Sequence, residues 1–182
     1  MEQRGRGQTA GLGRPAIIQA ALQLLADQGS SGLSMRGLAA RLGVTPNALY
    51  NHFRDKTDLI DSMLDDALGE VRTSMDQEPR QRLENIMVSS YDVLASRRHL
   101  VPLYLERRGA RGPNAVALGE RMRQALTRAG VDEDRSQRAI HVLIVQAIGF
   151  AAYGTALPDA VPNRSAFIDS LNWTLDGILP HK

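Results

Sequence analysis

Apolar side chains recur at three- and four-residue spacing along almost the whole chain beyond residue 14, the pattern of helices that each bury one face. No run of alternating β-branched residues bounded by turn signals interrupts it, so the sequence predicts an all-α fold. The punctuation agrees. Pro15 suits the first position of a helix and Gly29 its end, with Ile17, Ala21, Leu24 and Leu25 on one face. Ser34 is placed to cap a short second helix that turns Leu38 and Leu42 inward and closes at Gly43. Thr45 is placed to cap a third beginning at Pro46. Asp55 starts a fourth, with Asp58 three residues on and a stripe of Leu59, Ile60, Met63, Leu64, Ala67, Leu68 and Val71. Further helices are predicted over about Pro79 to Ser96, Leu100 to Arg107, Asn114 to Ala129, Asp132 to Ala156 and Arg164 to Leu179, with a loop over Pro158 to Asn163.

Composition narrows the class. With 182 residues, 43% hydrophobic and 23% charged, the chain has enough apolar side chain to build a core, as one domain or as a small domain joined to a larger one. It has no cysteine, which removes disulfides, thiolate metal sites and cysteine nucleophiles and fits a reducing cytoplasm. Met1 to Arg14 is polar and rich in glycine and arginine, unlike a secretory signal. The longest nearly apolar stretch, Ile140 to Tyr153, falls short of the ~20 residues that span a bilayer. A cytoplasmic protein with no membrane partner is expected. The formal charge of +2 does not by itself mark a nucleic-acid binder, so the local placement of charge has to carry that argument.

The most informative segment runs from Leu38 to Phe53, Leu-Ala-Ala-Arg-Leu-Gly-Val-Thr-Pro-Asn-Ala-Leu-Tyr-Asn-His-Phe. Ala39 is small where two helices cross, Gly43 supplies the turn, and Val44 and Leu49 can fill the space between them, leaving Thr45, Pro46, Asn47 and Asn51 outward. This reads as a helix-turn-helix, although the bare spacing also suits an ordinary αα-corner. The wider context is more specific. From Pro15 to about Leu68 the chain resembles the tetracycline-repressor (TetR) family, through Ala20-Ala21-Leu22, the turn at Gly29 to Gly32, Leu33-Ser34-Met35-Arg36, and Leu49-Tyr50-Asn51-His52-Phe53 followed by Asp55-Lys56.

That resemblance implies a three-helix DNA-binding head whose third helix enters the major groove, followed by a helical body that binds a small molecule and dimerises. By matching positions, Ser34, Arg36, Tyr50, His52 and Lys56 are implied as phosphate contacts, with chemistry that suits the role. Thr45, Pro46, Asn47, Ala48 and Asn51 are implied as base-edge readers; an asparagine can hold adenine bidentately and an alanine methyl can meet thymine. Asn51 departs from the larger or aromatic residue frequent in relatives. Tyr50 can equally be a core residue whose hydroxyl reaches outward. Arg4, Arg6 and Arg14 read as a solvated tail or as a minor-groove arm. The expected organisation is a tail over 1–14, a head with its linking fourth helix over 15–75, and a body over 76–182.

In the body the resemblance covers only layout and length. Met87, Tyr91, Tyr104, Arg107, Met122, His141 and Gln146 are candidates for lining an apolar cavity with a few polar anchors. His141, on an otherwise apolar helix, reads as a core histidine before it reads as a ligand contact or metal site. The last two helices are expected to form a four-helix bundle with a symmetry mate, because Ile140 to Tyr153 is apolar on nearly every side. Gly149, Ala152 and Gly154 would permit close approach, and Phe167, Leu171, Leu175 and Ile178 form a stripe. Motifs of metal-dependent, serine-nucleophile and nucleotide chemistry are missing from the sequence, so neither an enzyme nor a cofactor is expected. The expected partners are an operator in double-stranded DNA, a small-molecule effector and a second copy of the chain. A filled body would instead favour an architectural DNA-binding protein.

Overall fold

A computed structural model describes residues 12–73, 78–156 and 164–180, and all regular secondary structure among them is helical. Arg4, Arg6, His181 and the anticipated loop from Pro158 to Asn163 lie outside the described residues. The chain divides into two compact units between Met63 and Leu64. The partition anticipated from the sequence assigns all of the fourth helix to the head; the division falls inside that helix instead.

The first unit comprises α1 (Arg14–Gly32), α2 (Met35–Leu42), α3 (Pro46–Tyr50) and the start of α4 (Lys56–Leu68). Helices this short are not stable alone, so caps and a shared core hold them. Gly29 breaks the regularity of α1 at φ 69° and ψ −176°, a conformation costly for residues with a Cβ. The Ser34 hydroxyl accepts from the Gly37 amide at 3.0 Å, which starts α2 as its sequence predicts. Gly43 ends it in the left-handed conformation, and the Val44 amide returns to the Ala39 carbonyl at 3.0 Å. Ile17, Leu25, Leu38, Ala39, Leu49, Phe53, Leu59 and Met63 are buried to 1% exposure or less and form the core of this unit.

Two expectations at helix ends need correction. Thr45 occupies the N-cap position of α3, but its side chain makes no capping bond. The fourth helix also stops at Leu68, with a turn at Gly69 and Glu70 where the Gly69 amide bonds to the Asp65 and Asp66 carbonyls. Glycine is a poor helix residue, and the stripe continues past it only because Val71 is buried by other means.

The second unit contains the end of α4, then α5 (Pro79–Ser96), a 3-10 turn at Arg98–Leu100, α6 (Val101–Arg107), α7 (Pro113–Arg128), α8 (Glu133–Ala156) and α9 (Arg164–Ile178). These bounds differ from the anticipated ones by a single residue at most. α5 packs against α7, α8 and α9, and α8 also packs against α6 and α7. Tyr91 of α5 stacks on Phe167 of α9 with ring centroids 4.5 Å apart, and Phe150 of α8 meets Phe167 edge-on at 5.5 Å. Phe167, Leu171 and Leu175 are all fully buried inside the subunit. The stripe assigned to a dimer interface is therefore the inward face of α9.

Asp65 is 6% exposed, and a buried carboxylate is tolerable only when hydrogen-bonded. It sits at the N-terminus of α7 and accepts from the Ala115 amide at 2.8 Å and the Asn114 amide at 3.2 Å. The Asn114 side chain returns a bond to the Asp65 carbonyl at 3.0 Å. A Cβ on residue 112 would come within 2.2 Å of the Asp65 carboxyl carbon, so the approach requires Gly112.

In the first unit, the Asp58 amide donates to the Asp55 carboxylate at 2.8 Å, and Asp58 accepts from the Arg54 amide at 2.9 Å. That backbone bond, helped by the charges of Arg54 and Arg14, holds the Asp58 carboxyl below its ordinary value of 3.8. A lowered pKa in the folded state contributes stability above the unfolded-state value and loses it as pH falls through the folded one. Asp58→Ala is expected to cost about 1 kcal/mol at neutral pH. The difference from the parent should shrink as pH falls below 3.8, as measured by urea unfolding at several pH values.

Candidate nucleic-acid interface and body cavity

α3 buries Leu49 completely and leaves Pro46, Asn47 and Tyr50 exposed, with Thr45 and Asn51 exposed at its ends. Ala48 and His52 are half-buried at the edges of this face. Tyr50 is 49% exposed, so it is not mainly a core residue. Ser34 and Arg36 stand exposed at the start of α2, and Lys56 is the first residue of α4. Ser34 accepts a bond from Gly37, and its own hydroxyl proton remains available to a phosphate oxygen. The ten sequence-predicted residues therefore fall on the third helix and on the helix starts beside it in the same compact unit. Helix starts present backbone N–H groups that favour phosphate.

Arg14 has a role that the sequence did not disclose. Its guanidinium lies 4.2 Å from the centre of the Phe53 ring, donates to the His52 carbonyl, and donates to the Ser62 hydroxyl at 2.8 Å. Ser62 in turn donates to the Asp58 carbonyl at 2.8 Å. Arg14 thus ties the start of α1 to the end of α3 and to the flank of α4. Arg41 makes a second tie to Asp27 at 2.8 Å, which joins α2 to α1.

A cavity of about 250 Å3 lies in the second unit. Its wall comes from Leu68 at the end of α4, Met87, Ser90 and Leu94 on α5, Tyr104 on α6, the 108–110 loop, the inner face of α7, and His141 with its neighbours on α8. Of the candidates for lining a cavity, Met87, Tyr104, Met122 and His141 lie on this wall. The other three candidates are elsewhere. Tyr91 is engaged with Phe167, and the Gln146 amide donates to Ser170 at 2.6 Å. Arg107 is replaced at the wall by Arg108, because α6 ends in a left-handed residue that redirects the chain. The residues missed, Arg108 and Gly119 above all, carry no local signal that distinguishes them from other loop or helix positions.

Tyr104 connects this wall to α4. Its hydroxyl donates to the Leu64 carbonyl at 2.6 Å; burial and the Asp65 carboxylate raise its pKa well above the ordinary tyrosine value, so it stays a donor. Among the described residues no cluster of three or more potential ligands is placed to hold a metal, and no helix is long and apolar enough to cross a membrane.

The family model for bacterial regulatory proteins of the tetR family matches residues 17–63, which span the helix-turn-helix and its supports. Residues 17–63 are thus those of the DNA-binding domain of the tetR family of bacterial regulatory proteins. An HTH-type transcriptional regulator of Saccharopolyspora erythraea is 39% identical over 116 residues, 63% of this chain and 49% of the relative. The chain thus spans about half the length of that curated relative. Among solved tetR-like structures, BioQ with its double-stranded DNA operator is 28% identical, with a TM-score of 0.77 over 94% of this chain and 100% of that one. A TetR variant from Acinetobacter baumannii in complex with minocycline is 26% identical, with a TM-score of 0.79 over 92% of this chain and 96% of that one.

The clamp made by Arg14 leads to a test of how the tetR head is held together. Arg14→Ala should lower its stability by about 1 kcal/mol through loss of the ring contact. Arg14→Lys should recover less than half of that loss, because an ammonium lacks the planar fork. Urea unfolding of the three proteins would show it.

Proposed function

We propose that the chain is a ligand-responsive transcriptional repressor of the bacterial cytoplasm, acting as a homodimer on a palindromic operator. The observation that carries this reading is the exposed polar face of α3, flanked by Ser34, Arg36 and Lys56. Thr45, Pro46, Asn47, Ala48 and Asn51 read base edges, while Ser34, Arg36, Tyr50, His52 and Lys56 hold the phosphate backbone. The operator-bound BioQ neighbour supports the DNA partner, and the minocycline-bound neighbour supports the effector. No enzymatic role is proposed, since the matched relatives are transcriptional regulators.

The cavity favours a sensor over an architectural DNA-binding protein. An effector seated there presses on α6 and α7. Both are bonded to the last turns of α4, through the Tyr104 hydroxyl and through Asp65. A ligand that favours one setting of these helices shifts the population toward it, and a ligand that prefers the DNA-free form lowers DNA affinity by the same factor.

The homodimer reading moves to a different face from the one the sequence suggested. Val142, Val145 and Tyr153 on α8 are 52%, 68% and 57% exposed, and Trp173 on α9 is 74% exposed. Gly149 on the same helix is exposed, with open space over its Cα. Large apolar groups concentrated on the last two helices, beside a small residue, suit close packing against a symmetry mate. Two reading heads related by such an axis address half-sites about 34–36 Å apart or slightly more.

Two measurements test these assignments. Lys56→Ala should weaken binding to every DNA sequence and reduce the salt slope by about one unit, whereas Asn47→Ala should relax preference at one or two base positions by roughly 1–3 kcal/mol. A change of base preference in the lysine variant with an intact salt slope would overturn its role. For the dimer, Val145→Glu and Trp173→Glu should remain folded and sediment as monomers with lost operator affinity, and a parent protein that is monomeric at micromolar concentration would refute the interface.

A further inference from the structure

We propose that the cavity of the body takes an apolar organic acid, its carboxylate held by Arg108 and His141. This rests on the cavity being the effector site and adds the chemical class of the effector.

The argument begins with the donors that remain in the wall. No aspartate or glutamate lines the cavity. Of the polar groups that do, Tyr104 gives its one proton to the Leu64 carbonyl, and Ser90 gives its proton to the Ile86 carbonyl at 2.7 Å. Both are left only with acceptor capacity. Arg108 and His141 are the remaining side-chain donors, and neither side chain has a hydrogen-bond or ion-pair partner among the described residues. A cationic ligand would meet a guanidinium with no carboxylate to answer it. A purely apolar ligand would leave both donors, which are exposed at the cavity's rim, unused. An anion meets both donors, and the leucine, methionine, alanine and isoleucine side chains of the wall take its apolar part.

The backbone supplies an independent observation. Arg108 is the one non-glycine residue with positive φ among the described residues, at φ 57° and ψ 45° at the end of α6. Glycine is the residue that fits this position without strain, and the next residue, Gly109, shows that the loop has glycine to hand. An arginine kept in a conformation that disfavours it, with its side chain at the wall of a cavity, fits retention for the guanidinium itself.

Gly119 makes the proposal testable. It lines the cavity from α7, and a Cβ added there meets nothing within 4 Å. Gly119→Leu therefore fills the cavity without a clash at the point of attachment. Arg108→Gln keeps the backbone demand at residue 108 and removes the charge. Octanoate, 1-octanol and octylamine share one chain length and differ in head group, so calorimetric titration of the full chain with each separates charge from apolar fit.

Octanoate is expected to bind about tenfold or more tightly than either analogue. Arg108→Gln should remove that advantage while leaving 1-octanol unchanged, and Gly119→Leu should abolish all binding. Equal or tighter binding of the alcohol or the amine, no binding of octanoate, or an octanoate affinity indifferent to Arg108→Gln overturns the acid. If Gly119→Leu still eliminates binding of the alcohol or amine, the cavity reading survives that result. If binding of every probe is unaffected by Gly119→Leu, the cavity itself is not the site and both readings fall.

Discussion

A buried carboxylate has to be hydrogen-bonded, and much of the body is arranged around the one at Asp65. Its oxygens accept from the first amides of α7, where the partial positive charge of a helix end favours them. This fixes the start of α7 against the end of α4, and it makes residue 112 a glycine because any side chain there would occupy the space of the carboxylate. At the preceding residue, the Leu64 carbonyl receives the Tyr104 hydroxyl, which anchors α6 to the same stretch of α4. The cavity then lies among α4, α5, α6, α7 and α8, and two of its walls, α6 and α7, are bonded to α4.

The head solves a different problem, that of keeping very short helices folded while one face stays free. Capping by Ser34, Asp55 and Asp58 satisfies amides at helix starts, and Arg14 joins three segments by stacking on Phe53 and bonding to backbone and hydroxyl oxygens. These interactions all use side chains other than the ones proposed to read bases. Thr45, whose hydroxyl makes no capping bond, remains outward with Asn47 and Asn51. Separating the residues that hold α3 from those it displays lets its outer surface vary without loss of the fold.

Much of this was legible in the residues alone, because helix starts and stops are local. Ser34 three residues before Gly37, Gly43 after Leu42, Pro79 at a first position, and the spacing of apolar side chains each act over one or two turns. The outward positions Thr45, Pro46, Asn47 and Asn51 were legible too, since Val44 and Leu49 fill the space between the two helices, whereas the phosphate-contact positions came only from the resemblance. The length of α4 was misjudged because its apolar stripe runs through Gly69 to Val71, and periodicity does not register that the backbone has turned.

The sequence by itself determined the helices, their ends and the polar face of α3. Tertiary structure decided which way the body helices point. Phe167, Leu171 and Leu175 form a stripe that either a partner or the subunit's own core could cover, and only the packing of α9 on α5 and α8, with Tyr91 against Phe167, turns it inward and leaves Trp173 and Val145 outside. The same holds at the cavity, where a left-handed residue at the end of α6 brings Arg108 to the wall in place of Arg107. Local propensities act along a few residues, whereas the choice between two nearly equal apolar faces is made by volume and hydrogen bonding among helices distant in the chain.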